Sequence, residues 1–389
     1  MKGSIRERHG SLQVRVSLGK NTQTGKYEYY TETIQVSGLN KKDAKDKVDT
    51  RLRELLTERD KGIFIKPGKA SLAEYLKSWL ADYCKPNLAP RTCELYEYIC
   101  KIHIIPALGI MSLIEVKPTH LQHLYAEKLK SGLSNATVQI IHRVIHKSFE
   151  NAVKIGLLSR NVAEAVDSPK VSRREMRTMN ETDMHLFLEM ARDTEYYALF
   201  YTLLFTGMRR SEALALRWQD VDTLLCQLSV NRSMQYIHSE PIPNRISFKP
   251  PKTIKSRRMI ALSPSTVSVL QEHREAQSKQ RKALELPAVT DIDLVFSHWD
   301  GSPLLPSSIT QAWRRLAHRT GLDGVRLHDA RHSHASLLLK QGVHPKIVQE
   351  RLGHAGIAIT LDLYSHVAPG LQQAAANKFD DIVLPKIKQ

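Results

Sequence analysis

Apolar residues recur along this chain in more than one rhythm. Leu12, Val14, Val16 and Leu18 alternate with polar residues, the period of a half-buried strand. Thr24-Gly25 marks a turn, and Tyr27, Tyr29, Thr31 and Thr33 alternate on a second extended stretch. From Asn40, a candidate N-cap, the spacing changes. Ala44, Val48, Leu52 and Leu55 fall on one face of a helix that reaches about Lys61. From about Ala70 to Pro169 the pattern is helical throughout. Ser71 caps a helix carrying Leu72, Tyr75, Leu76, Trp79 and Leu80. Pro90 begins another, with Cys93, Tyr96 and Ile99 as its apolar positions. Ser134-Asn135 precedes a third, with Val138, Ile141, Val144, Ile145 and Phe149 at helical spacing. Beyond Met176 helices mix with a short β region. There Ile246 and Phe248 precede a Pro250-Pro251 break, and Met259, Ile260 and Leu262 follow it.

These rhythms predict a multidomain chain. Residues 1–66 form a small α+β domain of sheet plus helix, residues 67–170 an all-α domain, and residues 171–389 a mainly-α domain with a small β-sheet. Ile65-Lys66-Pro67-Gly68-Lys69 and Val171-Ser172-Arg173-Arg174 read as linkers. A length of 389 residues suits two or three domains.

Charge narrows the class. The formal net charge is +17, with both signs spread along the chain, which points to a polyanionic partner such as nucleic acid. The first 66 residues hold 15 Lys and Arg against 9 Asp and Glu, and a basic, aromatic small sheet can lie in a DNA groove. In the second block Arg91, Lys101, His142, Arg143, His146 and Lys147 make a basic face, which taken alone reads as solvated. Cys84, Cys93, Cys100 and Cys226 contain no C-x-x-C pair, so neither a disulfide framework nor a zinc site is expected. There is no apolar signal region and no run long enough to cross a bilayer, so a cytoplasmic protein is expected.

The third block carries four short motifs in order. Thr206-Gly207-Met208-Arg209-Arg210-Ser211-Glu212 runs into Ala213, Leu214 and Leu216, so it opens or lies within a buried helix on which Arg209 and Glu212 share a face. Pro251-Lys252-Thr253, followed by Ser256-Arg257-Arg258, falls where two extended stretches meet, which places Lys252 in a β-turn. Leu327-His328-Asp329-Ala330-Arg331-His332-Ser333-His334 sets His328 and Arg331 on one side of a helix that Gly342 ends. Leu352-Gly353-His354 ends one helix, and Thr360-Leu361-Asp362-Leu363-Tyr364-Ser365-His366 begins the next. Taken singly, each has an ordinary structural explanation: an ion pair, a solvated lysine, a half-buried ring. The histidines lack H-E-x-x-H spacing and share their face with an arginine, so no metal is expected.

The ordered set resembles the tyrosine recombinase, or phage integrase, family. Its pattern is an arginine in T-G-x-R-x-S-E, a lysine in a β-hairpin, H-x-x-R, then L-G-H and a tyrosine in T-x-x-x-Y-x-H. The resemblance covers the third block, extends more weakly to the second as a core-binding domain, and likens the first to the arm-binding domain of integrases from phages and conjugative transposons. That extra first block argues against a chromosome-dimer resolvase. The resemblance implies Arg209, Lys252, His328, Arg331, His354 and Tyr364 as catalytic residues, with Glu212 holding the cations. Arg210, Arg173, Arg174, Arg143, Lys147 and Arg91 are candidate DNA contacts, the basic segment near Arg173 crossing the duplex backbone.

The chemistry fits these residue types. Attack on a phosphodiester piles negative charge on phosphorus oxygens, and arginine forks match that charge. Tyr364 is the nucleophile, His328 a base for its proton, and Lys252, as the resemblance implies, the acid for the leaving 5′ oxygen. The implied partners are double-stranded attachment-site DNA, three further copies of the chain in a tetramer, and accessory excisionase and DNA-bending proteins. No cofactor and no membrane are implied. The segment from Ala374 to Gln389, with Phe379, Ile382, Val383 and Leu384, is expected to pack on a neighbouring subunit. A type IB topoisomerase-like strand transferase and a catalytically inactive DNA-binding regulator are the competing readings.

Overall fold

In a computed structural model of the chain, residues 3–8, 11–20, 27–34, 40–60, 70–171, 177–241, 245–250, 257–354, 356–358, 360–361, 376–377 and 379–380 are described. The contacts divide the chain into two units, Met1–Arg173 and Arg174–Gln389. The expected linkers fall in or beside stretches outside the described residues, as do Thr24-Gly25, Lys252, Arg173, Arg174 and Tyr364.

The first unit begins with strands β1 (Gly3–Arg8), β2 (Ser11–Lys20) and β3 (Tyr27–Ile34), then helix α1 (Lys41–Asp60). The sheet is antiparallel in the order β1-β2-β3. Sequence alternation identified two of these strands. β1 escaped it because Ile5 is its one large apolar residue, and its pairing with β2 supplies what its own pattern lacks. Val14, Val16 and Ile34 turn inward against Val48 and Leu55 of α1. Asn40 caps α1 as expected, its side chain accepting from the Asp43 amide at 2.9 Å. The alternation of Tyr27 and Tyr29 belongs to the outer face, where both rings are exposed and the Arg15 guanidinium stacks 3.8 Å above the Tyr29 ring.

The second core of this unit is all helical, as expected. α2 (Leu72–Ser78) continues through a π-helical turn, Trp79–Cys84, into α3 (Lys85–Asn87). α4 (Pro90–Ile99) continues through a second such turn, Cys100–Ile104, into α5 (Ile105–Leu108). α6 (Pro118–Lys130) and α7 (Asn135–Lys154) complete it. Ser71 and Glu74 form a reciprocal capping box, and Ser134 caps α7. Val138, Ile141, Val144, Ile145 and Phe149 of α7 are buried against Leu72, Tyr75 and Leu76 of α2, and the Tyr75 hydroxyl donates to the Ser148 carbonyl at 2.6 Å. All four cysteines are free thiols.

In the second unit, α8 (Glu181–Ala191) and α9 (Tyr197–Thr206) lead into a one-turn helix, α10 (Arg210–Ala213). β4 (Val221–Asp222), β5 (Gln227–Val230), β6 (Ser233–Tyr236), β7 (Ile246–Lys249) and β8 (Arg258–Ala261) follow. The remaining helices are α11 (Pro264–Ala283), α12 (Pro306–Arg319), α13 (Asp329–Lys340) and α14 (Pro345–Leu352). α9 is buried almost all round and packs against α8, α11 and α13, so it anchors the unit. Phe187 and Phe200 close on the fully buried Trp313, whose indole donates to the Val325 carbonyl at 3.1 Å. Among the described residues the two extended stretches flanking Lys252 do not pair with each other. Among the described residues β7 pairs with β6, while β8 joins β5 in the sheet β4-β5-β8. No described helix is long and apolar enough to cross a membrane.

Candidate active site

Arg209 stands at a junction that glycine makes possible. α9 ends at Gly207, whose φ of 65° is left-handed. A Cβ there would lie 2.5 Å from Leu352 Cδ2 and 2.8 Å from His334 Cδ2, so only glycine lets the end of α9 meet α13 and α14 this closely. Arg209 follows with extended backbone, φ −71° and ψ 146°, as the N-cap of α10. It is therefore outside the helix on which the sequence pattern set it. Glu212, in the first turn of α10, accepts from the Arg209 amide at 2.9 Å and from Arg209 Nη1 at 2.7 Å. The expected pairing holds through a cap rather than a shared helical face.

The far side of the site is the C-terminus of α14. Its last carbonyls point out of the helix with no intrahelical donor, and they carry the negative end of the helix dipole. Three consecutive ones each accept from a different arginine. Arg258 Nε donates to the Arg351 carbonyl at 2.7 Å, Arg331 Nη2 to that of Leu352 at 2.7 Å, and Arg209 Nη2 to that of Gly353 at 3.4 Å. Gly353 ends α14 with φ 67°, and a Cβ on it would press to 3.0 Å from Arg258 Cδ. Arg331 also donates Nη1 to the Gly207 carbonyl at 2.8 Å, so one buried side chain ties the ends of α9 and α14.

His328 is the N-cap of α13, three residues before Arg331. Its ring meets that of His332 edge-on at 5.0 Å between centroids. Although one side of His328 is open to solvent, partial burial holds its pKa below the usual imidazole value, with Arg331 and Arg209 adding to the effect against Asp329. His354 is 7% exposed, and its Nδ1 lies 2.9 Å from Thr360 Oγ1. Burial first, then Arg331 and Arg209, bring it down to about 4, so the ring is neutral at physiological pH. Burial and Arg209 push Arg331 down to about 9, and its charge persists at neutral pH. Glu212 is 4% exposed. Burial raises its pKa, but hydrogen bonds and charge from Arg258 and Arg209 outweigh that and keep it ionised.

The structure thus bonds Arg209 directly to Glu212 and brings Arg209 and Arg331 onto neighbouring backbone carbonyls at the end of α14, with His354 next in sequence and both His354 and His328 close enough to feel the two charges. Lys252 and Tyr364 lie outside the described residues, but Thr360, four residues before Tyr364, is bonded to His354. Arg210 turns away from the cluster. Its guanidinium donates to the Pro306 carbonyl at 3.1 Å and to Thr310 Oγ1, both on α12. Asp329 is buried and accepts from the amide and guanidinium of Arg326. In the first unit Arg143 is exposed, Lys147 pairs with Glu150 at 3.0 Å, and Arg91 pairs with Glu94 at 3.1 Å. Among the described residues no three His, Cys, Asp or Glu side chains converge at metal-binding spacing.

Sequence reasoning quoted Arg258 and gave it no role. The signal was present in the strand pattern: Arg258 and Ile260 sit two apart in β8 and share the inward side, while Met259 is exposed. An inward arginine needs a buried anion or carbonyl, and Glu212 and Arg351 supply both.

Residues 173–370 match the phage integrase family, and residues 71–129 match the phage integrase N-terminal SAM-like domain. The ICEBs1 integrase of Bacillus subtilis (strain 168) is 27% identical over 377 residues, covering 96% of this chain and 98% of that protein. The Tn1549 transposon integrase, solved in complex with a circular-intermediate DNA, superposes with a TM-score of 0.67 at 18% identity, covering 80% of this chain and 100% of that one. The lambda integrase tetramer bound to a Holliday junction gives a TM-score of 0.58 at 16% identity, over 93% of this chain and 94% of that one.

Proposed function

This chain belongs to the phage integrase family, and on that premise we propose that it recombines DNA at specific sites, moving a mobile element into and out of its bacterial host's chromosome through a covalent link to Tyr364. The observation that carries the proposal is the convergence of Arg209 and Arg331 on adjacent carbonyls of α14, beside two histidines.

The chemistry follows from those groups. Among the described residues each of the two arginines donates two N–H groups to protein acceptors, of the five that a guanidinium has, which suits both to phosphate oxygens. A free phenol has a pKa near ~10, so the Tyr364 nucleophile needs a base. His328, held neutral, takes its proton. The phenolate oxygen then attacks phosphorus, the bond from phosphorus to the 5′ oxygen breaks, and Lys252 protonates that oxygen as it leaves. A 3′-phosphotyrosine results, and attack by another strand's 5′ hydroxyl reverses the step. The pentacoordinate phosphorus carries one more negative charge than the substrate, and Arg209 and Arg331 meet it. The bond energy stays in the phosphotyrosine, so rejoining needs no nucleotide.

The outer face of the small sheet, with Arg15 over Tyr29, suits a second DNA site, and Arg143, Lys147 and Arg91 suit the core site. Four protomers would hold two sites together in the host cytoplasm. The test is covalent trapping on attachment-site DNA nicked near the cleavage point, without metal or nucleotide. The expected product is a denaturant-resistant protein–DNA adduct that Tyr364→Phe abolishes. Binding by both proteins with no adduct from either would favour an inactive regulator.

A further inference from the structure

Glu212 poses an electrostatic problem for the proposed chemistry. A buried carboxylate 2.7 Å from Arg209 Nη1 would by itself cancel much of the charge that Arg209 offers to phosphate. Arg258 stands on the other side of that carboxylate. Its Nη2 lies 2.8 Å from Glu212 Oε2 and its Nη1 3.3 Å from Oε1, and its side chain is 6% exposed. With its Nε on the Arg351 carbonyl, its fork is turned toward protein acceptors rather than toward a substrate.

We propose that Arg258 is a positioning residue: a buried counter-cation that neutralises Glu212 and so leaves the charge of Arg209 available to the scissile phosphate. The proposal rests on the reading of Arg209 as a phosphate ligand. Three features carry it. Glu212 has two guanidinium partners, so the trio Arg209–Glu212–Arg258 keeps one net positive charge where a simple pair would keep none. Of the two cations Arg258 is the enclosed one, while the Arg209 side chain is 36% exposed and faces what the site binds. Arg258 also supports the turn at Gly353, whose carbonyl bonds Arg209. As the first residue of β8, six residues after Lys252, it fixes the strand end nearest in sequence to the proposed acid.

The experiment uses the full chain on a nicked attachment-site duplex. It reads the single-turnover rate of adduct formation at saturating protein, with DNA affinity and melting temperature measured separately. Arg258→Gln should slow the step about 100-fold, the scale of losing one oxyanion-stabilising group, with affinity within about threefold. Adding Glu212→Gln removes the anion that Arg258 compensates, and should restore at least about tenfold of that loss. A scissile methylphosphonate, which lacks a charged oxygen, should shrink the ratio of wild-type to Arg258→Gln rates, an effect that a merely distorted site would not produce. A wild-type rate for Arg258→Gln, a double variant no faster than Arg258→Gln, or an unchanged methylphosphonate ratio would each overturn the proposal. If Arg258→Gln proves unstable, Arg258→Lys decides. It keeps the counter-charge, so a rate within about tenfold of wild type supports the proposal, and a folded lysine variant about 100-fold slow contradicts it. Arg209→Gln separates the two readings. A wild-type rate there sinks the phosphate-ligand reading itself, whereas an inactive Arg209→Gln beside a fully active Arg258→Gln sinks only this inference.

Discussion

Arg331 donates to the Gly207 carbonyl at 2.8 Å, and Gly207 is the residue whose missing side chain lets α9 touch Leu352. A proposed phosphate ligand thus doubles as the bond that holds its own pocket together. The site is made of three element ends: the C-terminal end of α9 at Gly207, the N-terminus of α13 and the C-terminal turn of α14. The orphan carbonyls at the C-terminal ends of α9 and α14 are used as acceptors that aim the guanidinium groups.

Gly207→Ala should therefore damage fold and activity together. A Cβ at 2.5 Å from Leu352 on a left-handed backbone must displace α14, at a cost of roughly 2–4 kcal/mol. Chemical denaturation should show that loss. An alanine variant as stable as wild type would mean the junction is looser than these distances indicate.

Acid should destabilise the second unit. His354 and His334 are each brought down to about 4 in the folded chain, mainly by burial, and His334 Nε2 accepts from Arg351 Nε at 3.0 Å, which requires it unprotonated. The unfolded chain has ordinary histidines near ~6.5, so between these values it binds more protons than the folded one. Stability is full above about 6.5 and falls as pH drops from there toward about 4, by up to roughly 3 kcal/mol per histidine. Melting temperature against pH, compared with His334→Gln, reads this directly; a flat profile between pH 6.5 and 4 contradicts it.

The cleavage rate should hold at neutral pH and fall on the acid side. His328 acts as a base when neutral, and its pKa is lowered. Its inflection belongs below the ordinary histidine value near ~6.5. Single-turnover rates at saturating DNA give that inflection, and one above 7 would show that another group sets it.

Arg15→Ala with Tyr29→Ala should weaken binding to a distal DNA site while leaving core-site adduct formation within about twofold, since stacked surface pairs contribute through binding. Equal loss at both sites in separate gel-shift titrations would contradict that division of labour.

Phe379 is exposed in the single chain. Truncation before it should abolish synapsis of two sites and spare binding to one, as sedimentation of the DNA complexes would show. Intact synapsis would place the tail on its own subunit.

The sequence revealed what is local. Ser71, Pro90, Asn40 and the helical spacing in α7 specify their elements within a few residues, and the structure has them there. The four motifs named the candidate site because each lies in a short run. What was hidden depends on partners far away in sequence. β7 and β8 look like two arms of one hairpin, yet each pairs with another strand. β1 is held by β2 rather than by its own pattern. Arg258 acquires meaning only when Glu212, 46 residues earlier, and the Arg351 carbonyl, 93 residues later, come to meet it.

In the proposed reaction one tyrosine of thirteen becomes joined to DNA. Mass spectrometry of the peptide left on DNA after proteolysis of the trapped adduct tests it most directly. The expected result is a single modified peptide containing Tyr364, linked to a 3′ phosphate. A modified peptide around any other residue, or a 5′ linkage, would contradict it.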